Sequence, residues 1–241
     1  MENEVPTPGP AVKPGRPVIQ TAIVILVTVL VMLLLLPTID RLQNMQHETA
    51  STNKLKQMGL GIQGFDAAQG ALPARAFPDQ KDGTPRSWRW SIWPNMEQDA
   101  YFNCRNVPVI PEYFAPPGGD LTSPLTPYKA FAFENSPFAV SKNPKLYNRS
   151  EWSVQTVSAT PRGSSNLIFC IEANDPVEWS KPGDIDYDPA GQLPEMKPLF
   201  RRNGWLVLMA DGSTKFVRTS VRESAFRAAI DPCGDSKEPN P

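Results

Sequence analysis

The sequence predicts an α+β fold in which a long N-terminal helix, transmembrane at its start and amphipathic beyond, packs on a small antiparallel β-sheet. Three observations support this prediction. A charge-free apolar run covers residues 17–39, apolar side chains recur at helical spacing over residues 39–65, and a hairpin pattern covers residues 205–218. Helical spacing comes first along the chain and strand patterning follows it. We therefore expect the helix to precede the sheet in the sequence.

The run of residues 17–39 is predicted to form a transmembrane helix over residues 18–39. As a helix it would be about 34 Å long, enough to cross a hydrocarbon core of roughly 30 Å. A cleaved signal peptide has an apolar core of only about 7 to 15 residues followed by small residues, whereas this run ends in Leu36-Pro37. A helix buried in a protein core is the other alternative. However, a helix that is apolar on every face is typical of a membrane span.

Residues 1–17 are predicted to be a disordered cytoplasmic tail, because they are few and rich in proline. Basic residues lie on both sides of the apolar run, so their distribution alone does not set the orientation of the predicted helix in the membrane. With the tail inside, residues 40–241 lie on the periplasmic side. The chain is therefore predicted to be a single-pass protein of the cytoplasmic (inner) membrane, with the lipid bilayer as a partner.

Apolar residues at three- and four-residue steps predict an amphipathic stalk helix over residues 40–70, and Gly70 followed by Leu72-Pro73 predicts its end. Residues 71–233 are predicted to form one exported α+β domain, because this length suits a single core. Proline clusters in the middle of that domain, which is therefore expected to be rich in loops.

The last third of the chain carries the strand signals. Residues 166–172 read as a buried strand, and residues 205–218 as a hairpin closed by a two-residue Asp211-Gly212 turn. A capping box over residues 220–223 predicts the start of a short helix that runs to Ile230. Residues 234–241 are predicted to be a flexible tail.

Composition excludes several classes of function. The net charge is −1 and basic residues are scattered among acidic ones, which argues against nucleic-acid binding. A single histidine, His47, and three widely spaced cysteines exclude most metal and Ser-His-Asp chemistry. No cofactor is predicted. Three cysteines allow three disulfide pairings; Cys170 lies in an apolar segment, so Cys104 with Cys233 is the favoured pair.

Two patterns suggest ligand sites. Asp184, Asp186, Asp188 and Glu195 copy the spacing of a calcium loop, although Pro189 stands where such a loop needs glycine, and a solvated acidic loop is the alternative. Tryptophans at short spacing suggest either core packing or a platform that stacks on a ring-shaped ligand. The candidates for ligand stacking are Trp88, Trp90, Trp152 and Trp179.

An enzymatic reading rests on three carboxylates next to Trp179, which are Glu172, Asp175 and Glu178. Glycosidases use a pair of such groups, but nothing in the sequence sets their separation. The chain is therefore predicted not to be an enzyme.

Short motifs in a specific order carry a family resemblance: Asn53-Lys54-Leu55-Lys56-Gln57-Met58-Gly59-Leu60, Ser87-Trp88-Arg89 with Pro94, Glu97 and Gln98, Trp179-Ser180-Lys181-Pro182-Gly183-Asp184 with Tyr187-Asp188-Pro189, and Ala210-Asp211-Gly212-Ser213 with Phe216. Over residues 15–231 the chain resembles the pseudopilin-like exported proteins of planctomycetes known as domain of unknown function 1559. The resemblance implies a pseudopilin-like fold.

The chain departs from that family at two positions. The family's prepilin segment places a glycine before the cleavage point, where Gly15 stands, and a glutamate five residues after it, where this chain has Gln20. Many relatives also place a histidine ten residues before the Asp-Gly turn, where this chain has Arg201. Because Arg16, Pro17 and Gln20 stand where the prepilin pattern needs other residues, we expect the chain to remain uncleaved.

The sequence thus predicts a membrane-anchored, pseudopilin-like protein of the cell envelope with a structural or interaction role. Other envelope or pseudopilin-like proteins are the expected partners. The alternative is an extracytoplasmic carbohydrate- or peptide-binding module on a membrane tether.

Overall fold

The computed structural model describes residues 16–96, 109–143, 145–199 and 203–233. Within the first helix, side chains are described at residues 20, 21, 23–34 and from 45 onward. Residues 1–15 of the predicted tail at residues 1–17, and the predicted tail at residues 234–241, lie outside this part of the chain. So do Gly15, Glu97, Gln98, Cys104 and Arg201.

Helix α1 is the longest element and runs from Arg16–Gln69. It ends where Gly70 adopts a positive φ of 71°, and the Gly70 amide donates to the carbonyl of Asp66 at 2.7 Å. This is the glycine-terminated helix end that the sequence predicts. The chain divides into two compact units, Met1–Gln46 and His47–Pro241, so α1 contributes to both.

No helix in the described part of the chain is both long and apolar enough to cross a bilayer. The prediction of a fold with a transmembrane helix over residues 18–39 is therefore wrong. The α+β class and the antiparallel sheet agree with the structure.

The second unit is built mainly from short elements. Its strands are β1 (Ala76–Pro78), β2 (Pro85–Ser87), β3 (Leu125–Lys129), β4 (Phe131–Ala132), β5 (Ile168–Glu178), β6 (Ile185–Asp186), β7 (Gly204–Met209) and β8 (Thr214–Arg218). Its other α-helices are α2 (Trp88–Ile92), α3 (Val154–Ser158) and α4 (Glu223–Ile230), and two short 3-10 helices cover Trp93–Asn95 and Ser164–Asn166. The main sheet is antiparallel in the order β3-β5-β7-β8, and two small sheets pair β1 with β2 and β4 with β6.

The main sheet separates two hydrophobic clusters. On one side Leu206 and Leu208 of β7 join a core that contains Leu55, Met58, Ile62 and Phe65 of α1. On the other side Val207 and Met209 join a core that contains Phe226 and Ile230 of α4. The alternation along β7 follows from the two-residue period of a strand, and it places the end of α1 and α4 on opposite faces.

Strand β5 breaks this alternation. Phe169 and Cys170 are consecutive, yet both belong to the core on the α1 side, while Ile168 and Ile171 belong to the other core. The cause is an irregular register against β7 between Ile168 and Cys170. A bulge of this kind inserts one residue and turns its neighbour to the same face.

The β7-β8 hairpin and the positive φ of Gly212, which is 84°, confirm two predictions. The centre of the turn lies one residue earlier than the predicted Asp211-Gly212, because the Gly212 amide donates to the carbonyl of Met209 at 3.0 Å. Ala210 and Asp211 therefore occupy the centre of the turn, and Gly212 follows in the left-handed conformation. This combination is a common three-residue hairpin connection.

Gly212→Val is expected to lower the free energy of unfolding by about 2 kcal/mol or more, since a left-handed conformation costs an L-residue about 1–2 kcal/mol. A Cβ at Gly212 would also lie 2.9 Å from Nε2 of Gln63. Gly83→Val measures the left-handed conformation alone and should cost about 1–2 kcal/mol, because Gly83 has a φ of 72° and open space around its Cβ position. Urea unfolding measures both; a Gly212→Val protein as stable as its parent would refute the turn assignment.

Helix α4 ends at Ile230 as predicted, but it does not start with a capping box. Its N-cap is Arg222, and no side chain caps it. A capping box is found instead at α3, where Ser153 and Thr156 exchange side-chain and backbone hydrogen bonds. The spacing of residues 220–223 matched the motif, but the helix begins at the last residue of that motif.

Candidate functional site

The apolar stretch of α1 is the first candidate surface and lies in the first unit. Within residues 23–34, eleven large apolar side chains are exposed by 47% to 68%. The twelfth residue is Thr28, whose hydroxyl donates to the carbonyl of Val24 at 2.8 Å. The polar group is thus satisfied within the helix, and the stretch presents apolar surface in every direction.

In the second unit, the predicted calcium ligands do not converge. Asp184 has a buried side chain, 1% exposed, that is paired with Arg89. Asp186 and Asp188 are exposed, and Asp188 accepts the amide of Ala190 at 2.9 Å. The side chain of Glu195 is 83% exposed and lies 3.6 Å from Lys197. Among the described residues no group of three or more acidic, histidine or cysteine side chains could hold a metal ion.

Asp184 instead forms the centre of a buried polar cluster. One of its oxygens, Oδ1, accepts from Nη2 of Arg89 at 2.9 Å, from Nε1 of Trp88 at 3.0 Å and from the amide of Ala130 at 3.1 Å. The Arg89 side chain is 0% exposed, and its Nε donates to the carbonyl of Tyr128 at 2.8 Å. The carboxylate therefore compensates the positive charge of a guanidinium that has lost its water.

This arrangement joins two of the sequence motifs. Ser87 donates its hydroxyl to the carbonyl of Trp179 at 2.7 Å, and its amide donates to the carbonyl of Ser180 at 2.9 Å. We refer to residues 87–89 together with residues 179–184 as the motif cluster. Residues 87–89, Trp179, Ser180 and the Asp184 side chain are buried, whereas Lys181 and Pro182 are exposed. The buried, hydrogen-bonded part of the motif cluster therefore links two distant segments of the chain and has a structural role.

Most of the predicted stacking tryptophans are also part of the core. Trp88 is fully buried and Trp179 is 2% exposed. Trp90 stacks on Trp179 with ring centroids 5.4 Å apart, and the Arg86 guanidinium lies 4.2 Å from the centroid of Trp90. Trp152 is half-buried and is the one of the four predicted stacking residues that lines a described pocket.

A buried polar pair at the α1 end of the core was not anticipated from the sequence. The Ser51 hydroxyl donates to Oε1 of Glu172 at 2.5 Å, and both residues are almost fully buried. One helical turn later, Nζ of Lys54 donates to the carbonyls of Glu112 at 2.8 Å and Ala115 at 3.0 Å. Burial lowers the pKa of Lys54, and the nearby charges of Glu112 and Glu172 oppose that shift.

The other two carboxylates of the enzymatic reading are also paired. Asp175 accepts from Lys129 at 2.5 Å, and Glu178 lies 2.7 Å from Nζ of Lys181. The hydrogen bond from Lys181 is the largest cause that lowers the pKa of Glu178. Each of the three carboxylates is thus engaged by a hydroxyl or an ammonium group.

Two cysteines, Cys170 and Cys233, are described, and no disulfide joins them. Cys170 is buried in the core, and burial raises the pKa of its thiol well above the usual range. Cys233 is exposed, and its predicted partner Cys104 lies outside the described residues. The Cys104–Cys233 disulfide stays a prediction.

Two pockets are described in the second unit. One, of about 140 Å³, includes Glu134, Glu151 and Trp152 in its lining. The other, of about 270 Å³, is more apolar and is lined by Met196, Trp205, Val221 and Phe226 among others. Sequence reasoning missed Trp205, because its groove is assembled from a loop, a strand and α4 that no local pattern connects.

Comparison with protein families matches residues 48–108 to a family described as a protein of unknown function (DUF1559). The match covers about a quarter of the chain and includes Ser87, Trp88 and Arg89 of the motif cluster. It confirms the resemblance to this domain of unknown function over those residues. Searches of curated proteins and of solved structures find no match.

Proposed function

We propose that this chain is a pseudopilin-like, non-catalytic protein of the cell envelope with a structural or interaction role. In this role residues 23–34 bundle with the same helix of other copies of this chain. The observation that carries the proposal is the row of eleven exposed apolar side chains on α1. An exposed apolar surface of this extent is typical of a site that a partner covers.

The geometry of a helix favours a bundle over a single flat partner. Successive residues point about 100° apart around the axis, so twelve consecutive residues present apolar side chains on all faces. One partner helix covers one stripe of such a surface. Several neighbouring helices are therefore needed to remove it from water.

The non-catalytic part of the proposal is supported by the acidic groups of the second unit. Glu172, Asp175 and Glu178 are each engaged by a hydroxyl or an ammonium group. The family match supports the relation to a domain of unknown function. The relation to planctomycete pseudopilin-like proteins, the position at the cytoplasmic membrane and the lipid bilayer as a partner stay predictions.

The test compares two double variants of the full chain. Leu26→Lys with Leu30→Lys places charges on side chains that are 68% and 55% exposed. Met45→Lys with Leu60→Lys is the matched control, because these side chains of the same helix are 65% and 60% exposed but lie outside residues 23–34. Analytical ultracentrifugation in detergent-free buffer should show oligomers of defined size for the parent and the control, and monomers for Leu26→Lys with Leu30→Lys.

Two results would contradict the proposal. The first is a parent chain that is monomeric at every concentration, because such a chain does not form a helix bundle. Flotation of the parent with phosphatidylcholine vesicles, without self-association, would identify lipid as the partner of residues 23–34 and exclude the bundle. Circular dichroism melting of each variant keeps a folding defect from being mistaken for lost assembly.

A further inference from the structure

The pocket beside Trp152 combines an aromatic ring with groups that bond to hydroxyls. It lies between the loop of residues 134–142, which follows β4, and residues 151–152, which precede α3. The polar residues of its lining are Glu134, Asn135, Ser141, Lys142 and Glu151. None of these residues belongs to the motif cluster or to the apolar stretch of α1.

Trp152 is held in place from two directions. Its carbonyl accepts the amide of Leu72 at 2.7 Å, and its own amide donates to Oγ of Ser150 at 3.0 Å. Its side chain packs against the core that contains Leu55 and Met58, yet it remains half-buried and lines the pocket. The hydrogen bonds fix the backbone of Trp152 and the core contact restricts its indole, so the ring loses little conformational freedom when a ligand packs on it.

Hydrogen bonds join the polar side chains around the ring in pairs. Ser141 donates its hydroxyl to Oε1 of Glu151 at 2.9 Å, and Lys142 donates to Oε1 of Glu134 at 3.0 Å. Each carboxylate has accepting capacity left, and the Asn135 amide offers both a donor and an acceptor. The Glu134 and Lys142 side chains are 80% and 87% exposed, so they can move to meet a ligand.

We propose that this pocket binds a single pyranose ring of a carbohydrate, with the apolar face of the sugar on Trp152 and its hydroxyls on Glu151 and Asn135. A sugar ring has one face of C–H groups and a rim of hydroxyls, which matches an aromatic side chain rimmed by carboxylate and amide oxygens. The volume of about 140 Å³ favours one ring, since sites for drug-sized ligands measure roughly 300–1,000 Å³.

The test uses saturation-transfer NMR on the full chain with glucose, galactose, mannose and N-acetylglucosamine as probes. At least one of these sugars should bind. Trp152→Leu should weaken its binding about tenfold, because the variant keeps apolar volume but loses the flat ring. Trp205→Leu is the matched control, since Trp205 is also half-buried but lines the other pocket. Glu151→Ala should weaken binding as well, while Glu195→Ala, an exposed glutamate elsewhere, should not.

Each other outcome overturns the inference. Failure of all four sugars to bind at their highest soluble concentrations removes the site. Sugar binding that survives in Trp152→Leu places it elsewhere on the chain. A Trp152-dependent signal from an acetylated tetrapeptide, with none from the sugars, would make the pocket a peptide site. Glu151→Ala leaves the core untouched, so it remains informative even if Trp152→Leu folds poorly.

Discussion

Asp184→Ala is expected to lower the free energy of unfolding by about 3–5 kcal/mol, which is typical when one partner of a buried ion pair is removed. The reason is that the Arg89 guanidinium, 0% exposed, would keep its charge without the carboxylate that faces it at 2.9 Å. Trp88 and Ala130 would lose their acceptor at the same time. Urea unfolding followed by circular dichroism gives the measurement.

Asp186→Ala is the matched control for this change. Asp186 is two residues away in the sequence and exposed, so its loss should alter stability by less than about 0.5 kcal/mol. If Asp184→Ala leaves no folded protein to measure, Asp184→Asn keeps the shape and an acceptor oxygen and should give an intermediate loss. Equal stability of the Asp184 and Asp186 variants would show that the motif cluster does not hold the fold.

Trp179→Ala is expected to cost about 3–5 kcal/mol, the range for truncating a fully buried large aromatic side chain. Three rings surround Trp179: Trp90, Trp93 and Phe114 lie at centroid distances of 5.4, 5.5 and 5.5 Å. Its indole nitrogen also donates to the carbonyl of Val109 at 2.8 Å. Truncation therefore leaves a cavity and an unpaired carbonyl.

Trp179→Phe separates these two effects. Phenylalanine keeps a ring between its neighbours but cannot donate to Val109, so its loss of stability should be smaller than that of the alanine variant. Thermal melting of the parent and both variants makes the comparison. A Trp179→Ala protein within about 1 kcal/mol of the parent would mean that this ring is not a core residue.

Local sequence signals predicted the parts of the fold that depend on neighbouring residues. The end of α1 at Gly70 and the left-handed Gly212 both follow from the freedom of glycine to adopt positive φ, which is a property of one residue in its turn. The burial of Cys170 follows from its apolar neighbours. These predictions needed no knowledge of the rest of the chain.

The roles of the charged and aromatic residues could not be read in the same way. The spacing of Asp184 to Asp186 and Asp188 predicts that it is a calcium ligand. In the fold its carboxylate points to Arg89, which is distant in the chain. Likewise, the sequence suggests Trp88 and Trp179 as ligand-stacking residues. In the fold both pack against other aromatic rings and are core residues.

By itself, then, the sequence determined the α+β class, the end of the long helix and the hairpin, because periodicity and turn residues act over a few positions. Tertiary structure alone decided that the motif cluster is structural, that Trp152 lines a pocket and that Trp205 lines a groove. Which side chains meet depends on strand register and on the path of the loops, and a bulge such as that in β5 changes the facing of a side chain without any local signal. Burial then determines which of the possible side-chain contacts form. A charge removed from water is stable only where it is paired, and a buried ring only where other side chains pack against it.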